Sequence, residues 1–149
     1  MARRQPKVRT AYEFGLDVHS GDLDLFRWFL LCYLFGKPIR SESAVKTWSL
    51  FVSHKMDTPW VIKASRTGQL SSLLRAGGYA RYDGVTARGL QQCMEQLIRD
   101  YDGSLVLMLE SSENEEEFSK RLQKLHGVGP KVAEIFMRET EELFARRVE

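Results

Sequence analysis

The chain is predicted to be all-α, a compact orthogonal bundle of about seven helices, and three observations carry that prediction. Apolar residues recur at helical spacing in segment after segment. Glycine, proline and short polar clusters separate those segments. No stretch alternates apolar and polar residues as a half-buried strand would. A length of 149 residues suits one domain with a proper core.

The elements follow in order. Residues 1–19 read as a basic N-terminal arm, with Arg3, Arg4, Lys7 and Arg9 crowded near its start. A single helical domain is expected over 20–149. Ser20, Gly21 and Asp22 open a segment over 23–35 whose apolar residues cover nearly every face, as in a buried central helix. Gly36 and Pro38 stop it. A second helix is expected over 41–54, with Ala44, Trp48, Phe51 and Val52 on one side. Thr58-Pro59-Trp60 reads as a helix start with proline in the first turn. Leu70, Leu73 and Leu74 belong to a short helix ending at Gly77-Gly78. The spacing of Leu90, Cys93, Met94 and Leu97 predicts a helix over 82–100, closed by Asp102-Gly103. A glutamate-rich stretch leads into a helix over 114–125, and a last helix runs from 130 toward 148. Trp28, Trp48, Trp60, Tyr79 and Tyr82 are mostly core candidates, although an aromatic beside Gly77-Gly78 could stack on a base.

Composition narrows the function classes. The longest apolar run, 25–35, is broken by Arg27 and falls short of the ~20 residues a bilayer span needs. MARRQPKVRT carries basic residues without an apolar stretch behind them, so it does not read as a secretory signal. Two cysteines, Cys32 and Cys93, are too few for a disulfide framework or an iron–sulfur cluster, and both fall on apolar helix faces. His19 and His54 have no partner at metal-ligand spacing, so no metal site is expected. The expected setting is reducing and cytoplasmic, nucleoid-associated in a prokaryote. The net charge of +2 conceals an uneven distribution. Lys63, Arg66, Arg75, Arg81 and Arg88 dominate the middle with Asp83 the single acid among them, and Glu110, Glu113, Glu115, Glu116 and Glu117 gather later. A basic face of this kind suits nucleic acid, and a solvated helix surface gives the same pattern.

LHGVGPKVAEIF, residues 125–136, is the most specific stretch. Phe118, Leu122 and Leu125 end one helix, and Val132, Ala133, Ile135 and Phe136 begin the next, with only a tight reversal between. Gly127 and Gly129 suit a left-handed helix end or a close backbone approach to another molecule. Val128 makes sense as a plug between the two helices. Pro130 sits at the first helical position, where its missing N–H costs nothing. The free N–H groups of the turn and the helix start then face outward beside a positive helix end, an arrangement that binds phosphate.

This stretch resembles the helix-hairpin-helix of the endonuclease III superfamily of DNA glycosylases, whose hairpin reads Leu-Pro-Gly-Val-Gly followed two residues later by lysine and then by alanine. Leu125, Gly127, Val128, Gly129, Lys131 and Ala133 match, and His126 stands in place of the proline. The resemblance extends less specifically to Ser72 through Leu105 and to Gly36-Lys37-Pro38, and covers roughly residues 20 to 140. It implies the six-helix half of such glycosylases, duplex DNA (damaged or abasic) as partner, and base excision repair as the setting. Leu125, His126, Gly127, Val128, Gly129, Lys124 and Lys37 become the expected DNA-binding residues. A monovalent cation held by hairpin carbonyls is implied as well.

The resemblance also implies a catalytic role for Lys131: attack on C1′ of a damaged nucleotide, a Schiff base, and strand cleavage by β-elimination. That chemistry needs a neutral amine, which a positive helix end and partial burial favour. The alternative is that Lys131 only contacts phosphate, so that the chain is a non-catalytic binding module. The family pairs its lysine with a downstream aspartate, yet no aspartate follows Asp102, and Glu149 is the acid at about the right distance. No four-cysteine motif and no counterpart of the family's second lobe occur in these 149 residues. A protein partner or a second copy could supply the missing carboxylate.

Overall fold

A computed structural model describes residues 10–148, and everything said of the structure concerns those residues. They are all-helical, with nine α-helices and two short 3₁₀ segments and no strand.

The helix α1 (Asp22–Phe35) is the axis of the fold. Its residues from Leu25 to Leu34 are buried except Arg27, the outcome expected of a segment apolar on nearly every face. Trp28 donates its indole N–H to the Phe136 carbonyl at 3.2 Å, and Phe29 meets Phe136 edge-on with ring centroids 5.5 Å apart. Arg27, the exception, pairs with Asp57 at 2.8 Å. The helix α2 (Ser41–Ser53) buries Ala44, Thr47, Trp48 and Phe51. In α3 (Pro59–Ala64), the Thr58 hydroxyl accepts from Val61 N–H at 3.2 Å, and proline fills the first turn as the sequence predicts. The helices α4 (Thr67–Gly77) and α5 (Asp83–Tyr101) pack together, with Leu90, Cys93, Met94 and Leu97 fully buried. Asp102 (φ 56°) and Gly103 (φ 75°) close α5 in the left-handed region.

Several boundaries differ from the sequence expectation. A helix not expected, α6 (Leu105–Glu110), starts where the Ser104 hydroxyl accepts from Leu107 N–H at 2.9 Å. The next helix, α7 (Glu115–Gln123), is capped by Asn114 and sends the Glu117 carboxylate back to Glu113 N–H. The single last helix expected from 130 is two: α8 (Pro130–Met137) and α9 (Glu141–Val148). The break falls where Thr140, itself buried, turns its N–H and hydroxyl onto the Met137 carbonyl.

The folded unit also begins before residue 20. Residues 1–9, with Arg3, Arg4, Lys7 and Arg9, lie outside the described residues. Residues 10–20 belong to the folded unit: Ala11–Phe14 and Val18–Ser20 are 3₁₀ turns, and Ala11, Leu16 and Val18 are buried in the core. Among the aromatic core candidates, Trp28, Trp48 and Tyr79 are buried, whereas Trp60 and Tyr82 are 53% and 42% exposed. Trp60 lies instead across the α5 exit, where a Cβ on Gly103 would meet its indole at 3.0 Å. No helix among the described residues is long and apolar enough to cross a membrane.

Candidate nucleic-acid interface

Between α7 and α8 the chain reverses through residues 124–129. Leu125 and Val128 anchor the reversal by burying their side chains in the core, and Val128 N–H donates to the Leu125 carbonyl at 3.1 Å. This gives an apolar valine in a turn its physical reason. It also means that Leu125 and Val128 offer only backbone to anything outside.

The two glycines have different reasons to be glycine. Gly127 has φ 83°, and a Cβ there would collide with the Tyr33 ring, 2.9 Å from Cζ. Gly129 is extended (φ −101°, ψ −172°), and nothing lies within 4 Å of where its Cβ would be. Glycine is a tolerated helix cap at that position. No contact among the described residues requires it.

Three other elements hold the turn. On α5, Gln96 donates from Nε2 to the Lys124 carbonyl at 3.1 Å and accepts the His126 N–H on Oε1 at 2.6 Å. Two turns back toward the start of α5, a Cβ on Gly89 would meet the His126 ring at 3.2 Å, so the imidazole lies across the bare helix backbone. From α1, Tyr33 is buried beneath Gly127. From the loop after α1, Lys37 donates from Nζ to the Gly127 carbonyl at 3.2 Å and sits 4.0 Å from the centroid of the Tyr33 ring. Gly36 packs so closely on Val132 that a Cβ would overlap its side chain, which fixes that loop against the start of α8.

This environment is electrostatically unusual. Burial lowers the pKa of Lys37 from its ordinary value, with the neighbouring Cys93 thiol acting in the opposite sense. Burial pushes the Cys93 thiol up to about 12, and raises the Tyr33 hydroxyl well above its ordinary value. Lys131 is exposed in the first turn of α8, in contrast to the partial burial expected for it, and its amine makes no hydrogen bond or ion pair among the described residues. Lys124 and His126 are exposed as well. The carboxylate one turn along α8 from Lys131, Glu134, is paired with Arg138 at 3.4 Å, and Glu149 lies outside the described residues. Among the described residues, the backbone N–H groups of Gly127, Gly129, Lys131 and Val132 have no hydrogen-bond partner. These are the orphan donors of a turn and a helix start.

The carbonyls of the turn bear on whether a free monovalent cation fits. Lys124 carbonyl accepts from Gln96, Leu125 carbonyl from Val128 N–H, and Gly127 carbonyl from the Lys37 ammonium. A dissolved cation at the Gly127 carbonyl would have to displace an ammonium already held there, whereas the His126 and Val128 carbonyls accept no hydrogen bond among the described residues. The described residues contain no group of three or more histidine, cysteine, aspartate or glutamate side chains arranged to hold a metal ion.

The structure therefore brings Lys37 to Gly127 in the turn at 124–129, a pairing that the sequence suggested only through resemblance. Gln96, Gly89 and Tyr33 were not expected there. A glycine inside the long helix α5 was the available signal, because it costs ~1 kcal/mol relative to alanine and asks for a close neighbour. No family model matches the chain, and no curated protein and no solved structure matches it either.

Proposed function

We propose that this chain is a DNA repair protein of the helix-hairpin-helix glycosylase type that binds double-stranded DNA through the turn at 124–131. One observation carries the reading: the N–H groups of Gly127, Gly129, Lys131 and Val132, without a hydrogen-bond partner among the described residues, lie in the turn and at the start of α8, which also carry the exposed side chains of Lys124 and Lys131. A phosphate oxygen accepts from such donors and is favoured by the positive helix end. The open space at Gly129 lets a sugar–phosphate backbone approach closely. Contacts of this kind position a protein on the duplex without reading its sequence. The resemblance of residues 125–133 to the hairpin of endonuclease III-type glycosylases supports the same partner.

The test is fluorescence anisotropy with a labelled duplex from about 50 to about 200 mM salt. Affinity should fall linearly on logarithmic axes, with a slope near −0.9 per phosphate contacted. Lys131→Ala should make that slope shallower by about one contact. No binding at the low-salt end sinks the reading.

A second reading is favoured by the accessible Lys131 amine, which has no partner among the described residues. In it the protein is an abasic-site lyase. The neutral amine adds to the C1′ aldehyde of an abasic sugar, water leaves, and a Schiff base forms. Loss of a C2′ proton then breaks the C3′–O bond and cuts the strand. Borohydride trapping on a duplex with one abasic site tests it: an adduct that disappears in Lys131→Ala supports a lyase. No adduct with binding intact leaves a module that only holds DNA.

A further inference from the structure

We propose that Lys37 is the turn's built-in cation: its ammonium, clamped between the Gly127 carbonyl and the face of Tyr33, sets the turn for phosphate binding and takes the place of a dissolved monovalent ion at that carbonyl. The proposal rests on the DNA-binding reading above.

The geometry makes the case. A carbonyl oxygen on a surface meant for phosphate repels its ligand unless a cation covers it. Lys37 Nζ lies 3.2 Å from the Gly127 oxygen and 4.0 Å from the Tyr33 ring centroid, within reach of both a charge-assisted hydrogen bond and a cation–π contact. Tyr33 is a rigid floor, 1% exposed and belonging to α1. The same ring excludes a Cβ at Gly127, so the residue that holds the ammonium also fixes the glycine whose carbonyl it binds. The loop carrying Lys37 is itself fixed, by Gly36 against Val132 and by Ile39 N–H on the Lys37 carbonyl at 2.7 Å. Lys37 is thus a positioning residue tied by a short tether, always present and half-buried.

The experiment compares wild type, Lys37→Met and Lys37→Arg on one undamaged duplex, in potassium chloride and in tetramethylammonium chloride at equal ionic strength. Wild type should bind equally in both salts. Lys37→Met should bind about tenfold more weakly in tetramethylammonium, as expected for one lost charge-assisted hydrogen bond, and should regain part of the loss in potassium. Lys37→Arg should stay near wild type. Wild-type binding that needs potassium overturns the proposal. So does a Lys37→Met loss of the same size in both salts, which marks a plain phosphate contact.

A readout without DNA separates the two layers. The ¹H–¹⁵N ammonium spectrum should contain a slowly exchanging lysine resonance that disappears in Lys37→Met. Its absence overturns the clamp even if the wild type binds DNA. Its presence in a wild type that binds no duplex overturns the DNA-binding reading, and this proposal with it.

Discussion

Gly127→Ala and Gly129→Ala make the same chemical change two residues apart, and the structure assigns them opposite consequences. At Gly127 the backbone is left-handed (φ 83°), where an L side chain costs about 1–2 kcal/mol. The new Cβ would also press into Tyr33, which is buried and cannot swing away, and overpacking of that kind costs about 1–3 kcal/mol. The sum is roughly 2–5 kcal/mol, a large part of the ~5–15 kcal/mol that holds a domain together. At Gly129 neither cost applies, because the backbone is extended and the space is open. Alanine is a poorer cap than glycine by about 0.5 kcal/mol, and a smaller unfolded-state entropy offsets about as much. Stability should therefore stay within about 0.5 kcal/mol of wild type. Duplex affinity should nonetheless fall several-fold, because the methyl stands where the sugar–phosphate backbone approaches. Urea unfolding and anisotropy on both variants supply the numbers. Equal stability losses at the two positions would refute the account of the turn, and unchanged affinity in Gly129→Ala would refute the open-face argument.

Other outcomes follow from the same geometry. Gln96→Ala removes the bonds to Lys124 carbonyl and His126 N–H, each worth ~1 kcal/mol, so the His126 amide should exchange at least about tenfold faster while global stability falls by no more than about 2 kcal/mol. An unchanged His126 rate contradicts the clamp from α5. Phe136→Ala empties a fully buried site flanked by Phe29 and Phe118 and should cost about 3–5 kcal/mol in chemical denaturation; a loss below about 1 kcal/mol contradicts the packing around α1. Alkali should destabilise the fold. Cys93 titrates at 9.0 when unfolded and at about 12 when folded, so its contribution is complete below pH 9.0 and is lost as pH rises toward about 12. Tyr33 and Tyr79, also raised by burial, act in the same direction above pH 10.0. Lys37 acts in the opposite direction, because burial makes the folded state release that proton first, so its share of stability grows as pH rises toward 10.5. The urea midpoint should fall between about pH 9 and pH 11, and a midpoint that rises there contradicts the burial of these groups.

What the sequence revealed and what it hid divide along physical lines. The helix α1 was legible because its apolar residues are continuous and its stops are a glycine and a proline. The helix α5 was legible because Leu90, Cys93, Met94 and Leu97 keep their period over a long helix. The helix α6 spans too little chain for a period to show, and only Ser104 in cap position marked it. The break between α8 and α9 carries neither glycine nor proline. It depends on Thr140 being drawn into the core, a tertiary event invisible in local pattern. The turn at 124–129 was legible because its chemistry is local: glycine for a left-handed backbone, an apolar plug, proline at a helix start. Its supports were not. Gln96 lies 28 residues from Lys124 in sequence, and Lys37 lies 90 from Gly127, so nothing near either position announces the partner.

The most direct test of the account is a ¹⁵N-labelled titration of the wild type with an undamaged duplex at low salt. The largest early shifts should fall on the amides of Gly127, Gly129, Lys131 and Val132, and they should reverse as salt is raised. Shifts confined to another face, or no shifts at all, would contradict the claim that this turn holds DNA.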